Sequence, residues 1–394
     1  NFCKKGGSLV ENCLICGAQV YLDGAFRQAD VLCADGKIAA IGQGLRQTGG
    51  LRLDARGYRL VPGFLDIHTH GAAGVDVNAA DEAGLKKIAA FFASQGTTSW
   101  LASVLTDTQE QTLRCIGAIR NVMAQSGYGA QLMGIHLEGP FLSQEYKGAM
   151  PEHLLQKGDA ALFARYQEAA QGAVKYLTVA PEVEGVLQLI ADVSGQVAVA
   201  IGHSGASYET SMQAIANGAR CITHTFNAMK LFHQHFPAIM GAALESDAYC
   251  EAICDGRHLH PGAVRMLLKC KGPGRVIAVT DSIMAAGLPD GRYMLGVNDV
   301  VVEQGDAKLA STGVRAGSTL TTGQALRNLV AFTGRPVEEV LPLLTENPAA
   351  ALRMQRQKGR IRQGMDADMV LLDAQLQVCA TLVGGNLVYD ARQA

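Results

Sequence analysis

Long apolar runs and an excess of charge are both absent from this sequence. None of its uninterrupted apolar runs approaches the ~18 residues that a membrane-spanning helix needs, and its first residues contain no apolar core of a secretion signal. The 34 basic and 36 acidic residues nearly cancel, so the formal net charge of −2 gives no electrostatic reason to bind nucleic acid or an anionic membrane. We therefore expect neither a membrane nor a nucleic-acid partner for this chain.

A regular spacing of paired cysteines is also lacking, although the chain contains ten cysteines. They are dispersed, and most lie in apolar stretches, where a reduced thiol behaves as a small hydrophobic side chain. Cys13-Leu-Ile-Cys16 has the spacing of a redox site or half a zinc site, but no second pair lies nearby and its segment is strand-like, which favours a structural role. These features predict a reduced protein of the cytoplasm.

The middle of the chain alternates short apolar, β-branched runs with longer helical patterns, which is typical of βαβ units in a parallel sheet. The predicted strands are Gly63–His68, Thr97–Ala102, Leu132–Glu138, Tyr176–Ala180, Val197–His203, Arg220–His224, Tyr249–Asp255 and Arg275–Asp281. The predicted helices include Asp81–Ser94, Asp107–Ala124, Val183–Asp192, Tyr208–Ala216, Gly262–Leu268, Leu320–Thr333 and Val337–Leu344. This alternation predicts a (β/α)8 barrel of the TIM type over residues 62–355. An open doubly wound sheet is the alternative, but no GxGxxG sequence or P-loop opens the first βα unit.

Both ends of the chain carry short strand patterns separated by turns that contain Gly and Asp. The predicted strands are Leu14–Tyr21, Ala29–Cys33, Lys37–Ile41, Asp368–Leu372, Gln377–Leu382 and Asn386–Tyr389. Neither end alone has enough strands for a stable sheet. We therefore expect one small β domain formed from residues 1–61 and 356–394, with the barrel inserted between them. The first seven residues resemble a truncated end.

A pair of histidines, His68 and His70, follows the apolar run Leu60–Ile67. Residues two apart in a strand project from the same face, so both imidazoles should point together beyond the end of the strand. Neutral imidazole is the commonest metal ligand among side chains. Taken alone, the pair is equally well explained as two polar residues that cap a strand.

Four more predicted strands end in residues that bind metals, namely Glu138, His203, His224 and Asp281. Reacting groups of a (β/α)8 barrel lie at the carboxyl ends of its strands, so four histidines and two carboxylates should converge on one rim. Imidazole and carboxylate without thiolate suit a catalytic metal site rather than a closed structural zinc site. We expect one or two divalent metals per chain, with Zn as the first choice and Fe, Mn or Co as alternatives.

A carboxylate beside such a site has a specific function. A bound metal lowers the pKa of a water toward ~7, and hydrolysis then needs one group that takes a proton from the water and returns it to the leaving atom. Asp281 closes the last predicted strand and is the best candidate for this catalytic acid and base. Glu138 suits a metal ligand and could bridge two metals.

Several strings of the sequence together resemble the N-acetylglucosamine-6-phosphate deacetylases of the amidohydrolase superfamily. The strings are His68-Thr-His-Gly71, His136-Leu-Glu-Gly-Pro140, Gly202-His-Ser-Gly-Ala206, Thr223-His-Thr-Phe-Asn-Ala-Met229, Asp255-Gly-Arg-His258 and Thr280-Asp-Ser282. They occur in the order that the family has, and Pro62-Gly-Phe-Leu-Asp66 and Ala316-Gly-Ser318 match as well. The resemblance extends from about residue 12 to residue 390.

The resemblance implies an activity and a role for each matching residue. Such enzymes remove the acetyl group from an N-acetyl amino sugar 6-phosphate, which releases acetate and a free amine. The implied principal metal ligands are Glu138, His203 and His224; the implied second-metal pair is His68 and His70; the implied acid and base is Asp281; and the implied substrate contacts are His258, Asn227 and Ala228. His136 is expected to support a metal ligand rather than to bind metal.

The sequence departs from the family pattern at two substrate positions. Met150 stands where the family usually has a histidine, and the segment that begins at His235 replaces one in which the family has a phosphate-binding arginine. Histidine does not reproduce a permanently charged, bidentate donor at neutral pH. Met150 and His235 are candidate substrate contacts by their positions in these segments. If the substrate carries a phosphate, the candidates for holding it in place of the arginine are His258, His235 and Asn227.

Three functions follow from these observations. The main one is metal-dependent hydrolysis of the acetamide of N-acetylglucosamine 6-phosphate or N-acetylgalactosamine 6-phosphate. The alternatives are a deacylase of an unphosphorylated N-acyl amine or amino sugar, and a catalytically silent barrel that acts as a binding protein. We further expect a small-molecule substrate and a homodimer.

Overall fold

Eight parallel strands form a barrel in the computed structural model, which describes residues 12–393. The strands are β1 (Phe64–Asp66), β2 (Thr97–Leu105), β3 (Gln131–Glu138), β4 (Val174–Val179), β5 (Ala198–Ile201), β6 (Ala219–Ile222), β7 (Tyr249–Ile253) and β8 (Val276–Val279). Each pairs in parallel with the next. All nine residues of β2 are buried, because the strands of such a barrel are covered on both faces. The predicted fold class is confirmed.

The barrel closes between β1 and β8 just beyond the strands themselves. The amide of Asp281 donates to the carbonyl of His68 at 2.9 Å, and the amide of His70 donates to the carbonyl of Ser282 at 2.7 Å. Closure therefore joins the two segments that carry the predicted second-metal pair and the predicted acid and base.

Helices follow the strands and surround the barrel. They are α1 (Glu82–Ser94), α2 (Gln109–Met123), α3 (Ala160–Ala169), α4 (Val186–Val193), α5 (Tyr208–Ala216), α6 (Ala238–Glu245), α7 (Pro261–Lys271) and α8 (Thr322–Thr333). Helix α4 shows why they pack: its buried residues are Val186, Leu189, Ile190 and Val193, the spacing of one helix face. Short helices α9 (Val337–Val340) and α10 (Glu346–Ala351) follow, with 3-10 turns at Glu152–Leu154, Pro273–Arg275, Leu341–Leu343 and Ala391–Gln393. In the part of the chain described, no helix combines the length and apolarity needed to cross a membrane.

The two ends of the chain form a second sheet, as predicted. Its strands are Asn12–Leu22, Ala25–Ala34, Lys37–Gly42, Leu51–Asp54, Arg59–Pro62, Met369–Leu372, Val378–Val383 and Asn386–Asp390. The antiparallel pairing of Arg59–Pro62 with Met369–Leu372 joins the two ends. The first two hairpins turn on Asp-Gly pairs with positive φ, the geometry that such tight turns require. The domain boundaries 61/62 and 355/356 stay predictions, and the parts assigned to residues 1–11 and 394 lie outside the described residues.

A small antiparallel sheet follows β8, in the long excursion before α8. Its strands are Gly291–Leu295, Asn298–Glu303 and Asp306–Leu309. An apolar cluster beneath it includes Leu142, Met150 and Ile283, so the sheet is fixed to the loops at the carboxyl ends of β3 and β8. A further two-stranded ribbon, Gly71–Ala72 with Val75–Asp76, lies after β1.

Candidate metal and substrate site

Most of the functional candidates line one cavity of about 430 Å³ at the carboxyl ends of the barrel strands. Glu138 is the last residue of β3, whereas His68, His203, His224 and Asp281 each lie two residues beyond the last residue of their strand. The strand that carries Glu138 ends where it was predicted to end, whereas the other four strands end earlier than predicted, so their four side chains lie on the first residues of the loops.

A first group of possible metal ligands consists of Glu138, His203 and His224, which are all buried. The Nε2 atoms of His203 and His224 lie 3.0 Å apart. Their distances to Glu138 Oε1 are 3.1 Å and 3.4 Å. Two imidazole nitrogens and a carboxylate oxygen thus meet at one point, as the ligands of a metal ion do.

A second group consists of His68, His70 and Asp281, also buried. The Nε2 atoms of the two histidines lie 3.3 Å apart, and Asp281 Oδ1 lies 3.3 Å from His70 Nε2 and 3.7 Å from His68 Nε2. The ligand atoms within each of the two groups lie within 4.8 Å of one another.

Glu138 lies between the two pairs of histidines. Its Oε1 is 3.3 Å from His68 Nε2 as well as close to His203 and His224, and its Oε2 is 3.2 Å from His70 Nε2. One carboxylate therefore faces all four imidazoles, the arrangement expected of a residue that can bridge two metal ions.

Hydrogen bonds at Nδ1 orient three of the four imidazoles. His68 Nδ1 lies 2.9 Å from Glu251 Oε2, His70 Nδ1 lies 3.1 Å from the Ser103 carbonyl, and His203 Nδ1 lies 2.9 Å from the Tyr146 carbonyl. Because a carbonyl or carboxylate accepts the proton of Nδ1, each neutral ring leaves the lone pair of Nε2 free for a metal. The donor set therefore fits a divalent metal.

His136 is engaged at both ring nitrogens. Its Nδ1 lies 2.8 Å from Ser103 Oγ and its Nε2 lies 2.9 Å from Thr178 Oγ1. Its ring centroid is 4.6 Å from that of His68, against which it packs edge-on. This arrangement leaves His136 no free nitrogen for a metal and makes it a support for His68.

Glu251, inside β7, belongs to the site although the sequence analysis did not select it. Besides contacting His68 it accepts hydrogen bonds from Tyr176 Oη at 2.7 Å and from the His224 amide at 2.9 Å. It is 0% exposed. A glutamate within the apolar run of a buried strand is the signal that marks it, since an unpaired charge is costly there.

Asp66 is a second buried carboxylate that the sequence analysis did not select. Its Oδ2 accepts a hydrogen bond from Thr280 Oγ1 at 2.5 Å, next to Asp281. Burial raises the pKa of Asp66 to about 6, partly offset by the hydrogen bonds from Thr280. It links β1 to the end of β8.

The charges of the cluster complement one another. Burial opposes the ionisation of Glu138, but the neighbouring histidines outweigh this effect and lower its pKa well below the usual value. The largest lowering effect comes from His68. Burial likewise works against the charge of Asp281, and His68 and His70 outweigh it and lower its pKa. For His70 burial is outweighed by Asp281 and Glu138, which raise its pKa to about 9. Carboxylates so poised attract positive charge, either protons on the imidazoles or a metal ion that displaces them.

Three of these residues adopt a backbone conformation that is rare for residues with a side chain. The φ angles are 48° at His203, 25° at His224 and 47° at Asp281. Such strain clusters at functional sites, where the surrounding structure holds it. It turns each side chain sharply off the end of its strand toward the cavity.

Four of the five predicted substrate contacts line the cavity, namely Asn227, Ala228, His258 and Met150. His258 Nδ1 lies 2.8 Å from Asp255 Oδ2, and Asn227 Nδ2 donates to the His224 carbonyl at 3.2 Å. Met150 is also part of the apolar cluster under the small sheet. His235 instead lies in an exposed segment, near His233, and is not among the residues that line the cavity.

The cavity also includes residues that the sequence analysis did not select. Lys147 lies in the loop after β3, and Arg315 lies in the segment between the small sheet and α8. Lys147 begins the segment that ends at Met150, whereas only the folding of the segment after β8 brings Arg315 to the barrel rim.

Comparison with protein families gives one match that covers most of the chain. The amidohydrolase family model matches residues 59–388. This range includes all of the barrel and most of the sheet strands contributed by the C-terminal part.

Two similar curated proteins are each 35% identical to this chain over the aligned residues. One is the N-acetylglucosamine-6-phosphate deacetylase of Lysinibacillus sphaericus, aligned over 370 residues, 93% of this chain and 95% of that protein. The other is the N-acetylgalactosamine-6-phosphate deacetylase of Escherichia coli O157:H7, aligned over 330 residues, 83% of this chain and 87% of that protein.

A solved structure has the same fold over nearly its whole length. It is an aspartate-to-alanine mutant of N-acetyl-D-glucosamine-6-phosphate deacetylase from Mycobacterium smegmatis in complex with N-acetyl-D-glucosamine-6-phosphate. The TM-score is 0.89 at 33% identity, and the match covers 96% of this chain and 99% of that chain.

Proposed function

The chain belongs to the amidohydrolase family and, within it, to the N-acetyl amino sugar 6-phosphate deacetylases, and from this membership we propose its reaction. It hydrolyses the acetamide of N-acetylglucosamine 6-phosphate or N-acetylgalactosamine 6-phosphate, giving the amino sugar phosphate and acetate. The observation that carries the proposal is the position of Glu138 between two pairs of histidines, with Asp281 beside His68 and His70, at one cavity.

We propose that the chain holds one or two divalent metal ions, with Zn as the first choice. Glu138, His203 and His224 would hold the first ion, and His68 and His70 would hold a second with Glu138. The orientation of three imidazoles through Nδ1 supports this assignment. When bound, the metal supplies positive charge that polarises the amide and makes a water more acidic.

Asp281 is the proposed acid and base. An aspartate is ionised at neutral pH, so Asp281 can take a proton from the attacking water. It then returns this proton to the nitrogen of the amide, which leaves as the amine. The backbone bond from the Asp281 amide to the His68 carbonyl fixes its distance from the ligands during both transfers.

Substrate contacts complete the proposal. Asn227, the backbone of Ala228 and His258 would position the sugar, and Met150 would bound the cavity on its apolar side. His235 stays a predicted contact that lies away from this cavity.

The chain is proposed to act as a homodimer in the cytoplasm. Support for self-association comes from an exposed apolar patch in one segment, where Leu231, Phe232 and Phe236 are 66%, 56% and 70% exposed. Support for a reducing compartment comes from the nine cysteines of the described part, all of which are free. Sedimentation velocity measures the oligomeric state, and a monomer at micromolar concentration would contradict the proposed homodimer.

Acetate release and metal content test the reaction. We expect metal-loaded protein to release acetate from at least one of the two 6-phosphates, to contain one or two equivalents of metal by elemental analysis, and to lose activity on chelation and regain it with Zn. Full activity in metal-free protein would contradict the metal site.

The unphosphorylated N-acetyl sugars serve as the comparison in this assay. Equal kcat/KM with and without the phosphate would favour a deacylase that does not recognise phosphate. No acetate from any of the sugars with metal-loaded protein would favour a binding protein instead.

A further inference from the structure

The cavity must supply positive charge if it holds the phosphate of a sugar 6-phosphate. His258 is poorly suited, because its Nδ1 is already paired with Asp255 Oδ2 at 2.8 Å, and the negative charge of this carboxylate opposes a phosphate beside the same ring. His235 lies outside the cavity.

Among the described residues that line the cavity, the side chains with a permanent positive charge are Arg315 and Lys147. The Nε and Nη2 atoms of Arg315 donate to Asp306 at 2.8 Å and 3.1 Å. None of the described residues accepts a hydrogen bond from its Nη1, and the side chain is 42% exposed. The guanidinium is therefore held in one orientation and still has donors for a ligand.

The backbone around Arg315 is tied to the reacting end of the cavity. Arg315 forms a bridge with Lys308 in the small sheet. Three residues later, the amide of Ser318 donates to the carbonyl of Asp281 at 2.7 Å. The distance between the guanidinium and Asp281 is thus set by a short, hydrogen-bonded segment, as recognition of a substrate of fixed length requires.

We propose that Arg315 binds the 6-phosphate of the substrate and so determines the preference for phosphorylated sugars. This inference rests on the proposed function, since it assigns a residue to the substrate of that reaction. A guanidinium matches two phosphate oxygens at once, whereas Lys147 offers a compact point charge and already donates to the Met150 carbonyl at 3.3 Å.

The test compares Arg315→Gln with Lys308→Gln. Lys308 pairs with the same Asp306, at 3.0 Å, and is 45% exposed, but it does not line the cavity. Both variants remove one positive charge from a partner of Asp306, although Arg315 donates two hydrogen bonds to that carboxylate and Lys308 makes a single contact with it. Lys147→Gln is the third variant, and Arg315→Lys keeps the charge without the planar fork.

The measured quantity is the ratio of kcat/KM for the 6-phosphate to that for the unphosphorylated sugar. We expect Arg315→Gln to lower this ratio roughly 10- to 100-fold, the usual effect of losing hydrogen bonds to a charged group. Arg315→Lys should lower it less, and Lys308→Gln should leave it within about twofold of the wild-type value. An equal fall in Arg315→Gln and Lys308→Gln, or a fall in Lys147→Gln alone, would overturn the proposal.

Direct binding separates this inference from the proposed reaction. Calorimetry with glucosamine 6-phosphate and with inorganic phosphate needs no turnover, and Arg315→Gln should weaken binding of both by a similar factor. If wild-type protein binds glucosamine 6-phosphate but releases no acetate, the reaction fails and the phosphate site stands. If binding is unchanged in Arg315→Gln and Arg315→Lys, the phosphate site fails, whatever the activity.

Discussion

At the scale of residues, three buried carboxylates of the site differ in their neighbours and therefore in their function. Glu138 faces four imidazole Nε2 atoms, Asp281 faces two of them, and Glu251 accepts hydrogen bonds from a tyrosine, a histidine and a backbone amide. Burial alone would favour the neutral form of each. The surrounding donors decide instead which carboxylate can bind metal, which can carry a proton and which can only orient a ligand.

Asp281→Asn tests the proposed acid and base. Asparagine keeps the shape of the side chain but cannot transfer the proton, so we expect kcat to fall at least ~10²-fold. Metal content should change little, because the other ligands remain. Steady-state rates and elemental analysis of the same preparation measure both, and near-normal turnover in this variant would assign the proton transfer to another residue.

Glu251→Gln tests whether the buried glutamate supports the metal site. A glutamine is isosteric but weakens the charge-assisted bond to His68 Nδ1, so we expect metal affinity to fall about 10- to 100-fold. Competition with a chromogenic chelator measures this affinity without turnover.

Glu245→Gln is the matched control for Glu251→Gln. Glu245 also accepts from a tyrosine hydroxyl, Tyr208 Oη at 2.8 Å, but it is exposed. Its substitution should leave metal affinity unchanged, and equal affinities in the wild type and both variants would remove Glu251 from the metal site.

At the scale of elements, periodicity predicted the type of each barrel segment better than its ends. β5 was expected to reach His203 and β8 to reach Asp281, but the strands stop at Ile201 and Val279. The residues that follow, Gly202-His203 and Thr280-Asp281, no longer belong to the apolar runs, and the backbone leaves the extended conformation at His203 and Asp281, where φ is positive. The small sheet after β8 was not predicted, because its short strands alternate buried and exposed residues over only a few positions.

At the scale of the whole molecule, a buried lysine joins the terminal sheet to the barrel. Lys358 is 4% exposed and its Nζ contacts Asp368 at 2.5 Å, Asp366 at 3.0 Å and Gln131 at 3.0 Å. Gln131 begins β3, and Asp368 also accepts from the Gly384 amide in the terminal sheet at 2.8 Å. Lys358 and Asp368 therefore connect the first residue of β3 in the barrel with the C-terminal strands of the terminal sheet.

Lys358→Met should reduce the free energy of unfolding by about 3–5 kcal/mol, because it leaves buried carboxylate charge unpaired. Denaturant unfolding at pH 7 measures the change. Lys37→Met is the control, since Lys37 pairs with the same Asp366 but its side chain is 50% exposed, and a loss of at most about 1 kcal/mol is expected. Equal losses in the two variants would contradict a special role for the buried pair.

The effect of Lys358→Met should depend on pH in a defined direction. Burial opposes the charge of Lys358, but Asp368 and Asp366 outweigh it and raise its pKa, so its stabilising charge is fully present below the pKa of an unfolded lysine. Burial likewise opposes the charge of Asp366, and Lys358 and Lys37 lower its pKa. The ionised Asp366 therefore adds to the free energy of unfolding above the pKa of an unfolded aspartate, about 3.9, and this contribution is lost as the pH falls through the lower pKa of the folded state. The stabilities of wild type and variant should therefore converge under strongly acidic conditions.

The sequence by itself determined the barrel, the sheet shared by the two ends and the ring of Glu138, His68, His203 and Asp281, because local periodicity sets each element and parallel strands bring their carboxyl ends together. Only the tertiary structure decided that Glu251 lies under His68, that Arg315 lines the cavity and that His235 does not. A strand buried on both faces carries no alternating pattern to tell which way Glu251 points. The position of Arg315 depends on how the excursion after β8 packs over distant loops, and contacts between segments far apart in the chain leave no local signal in the sequence.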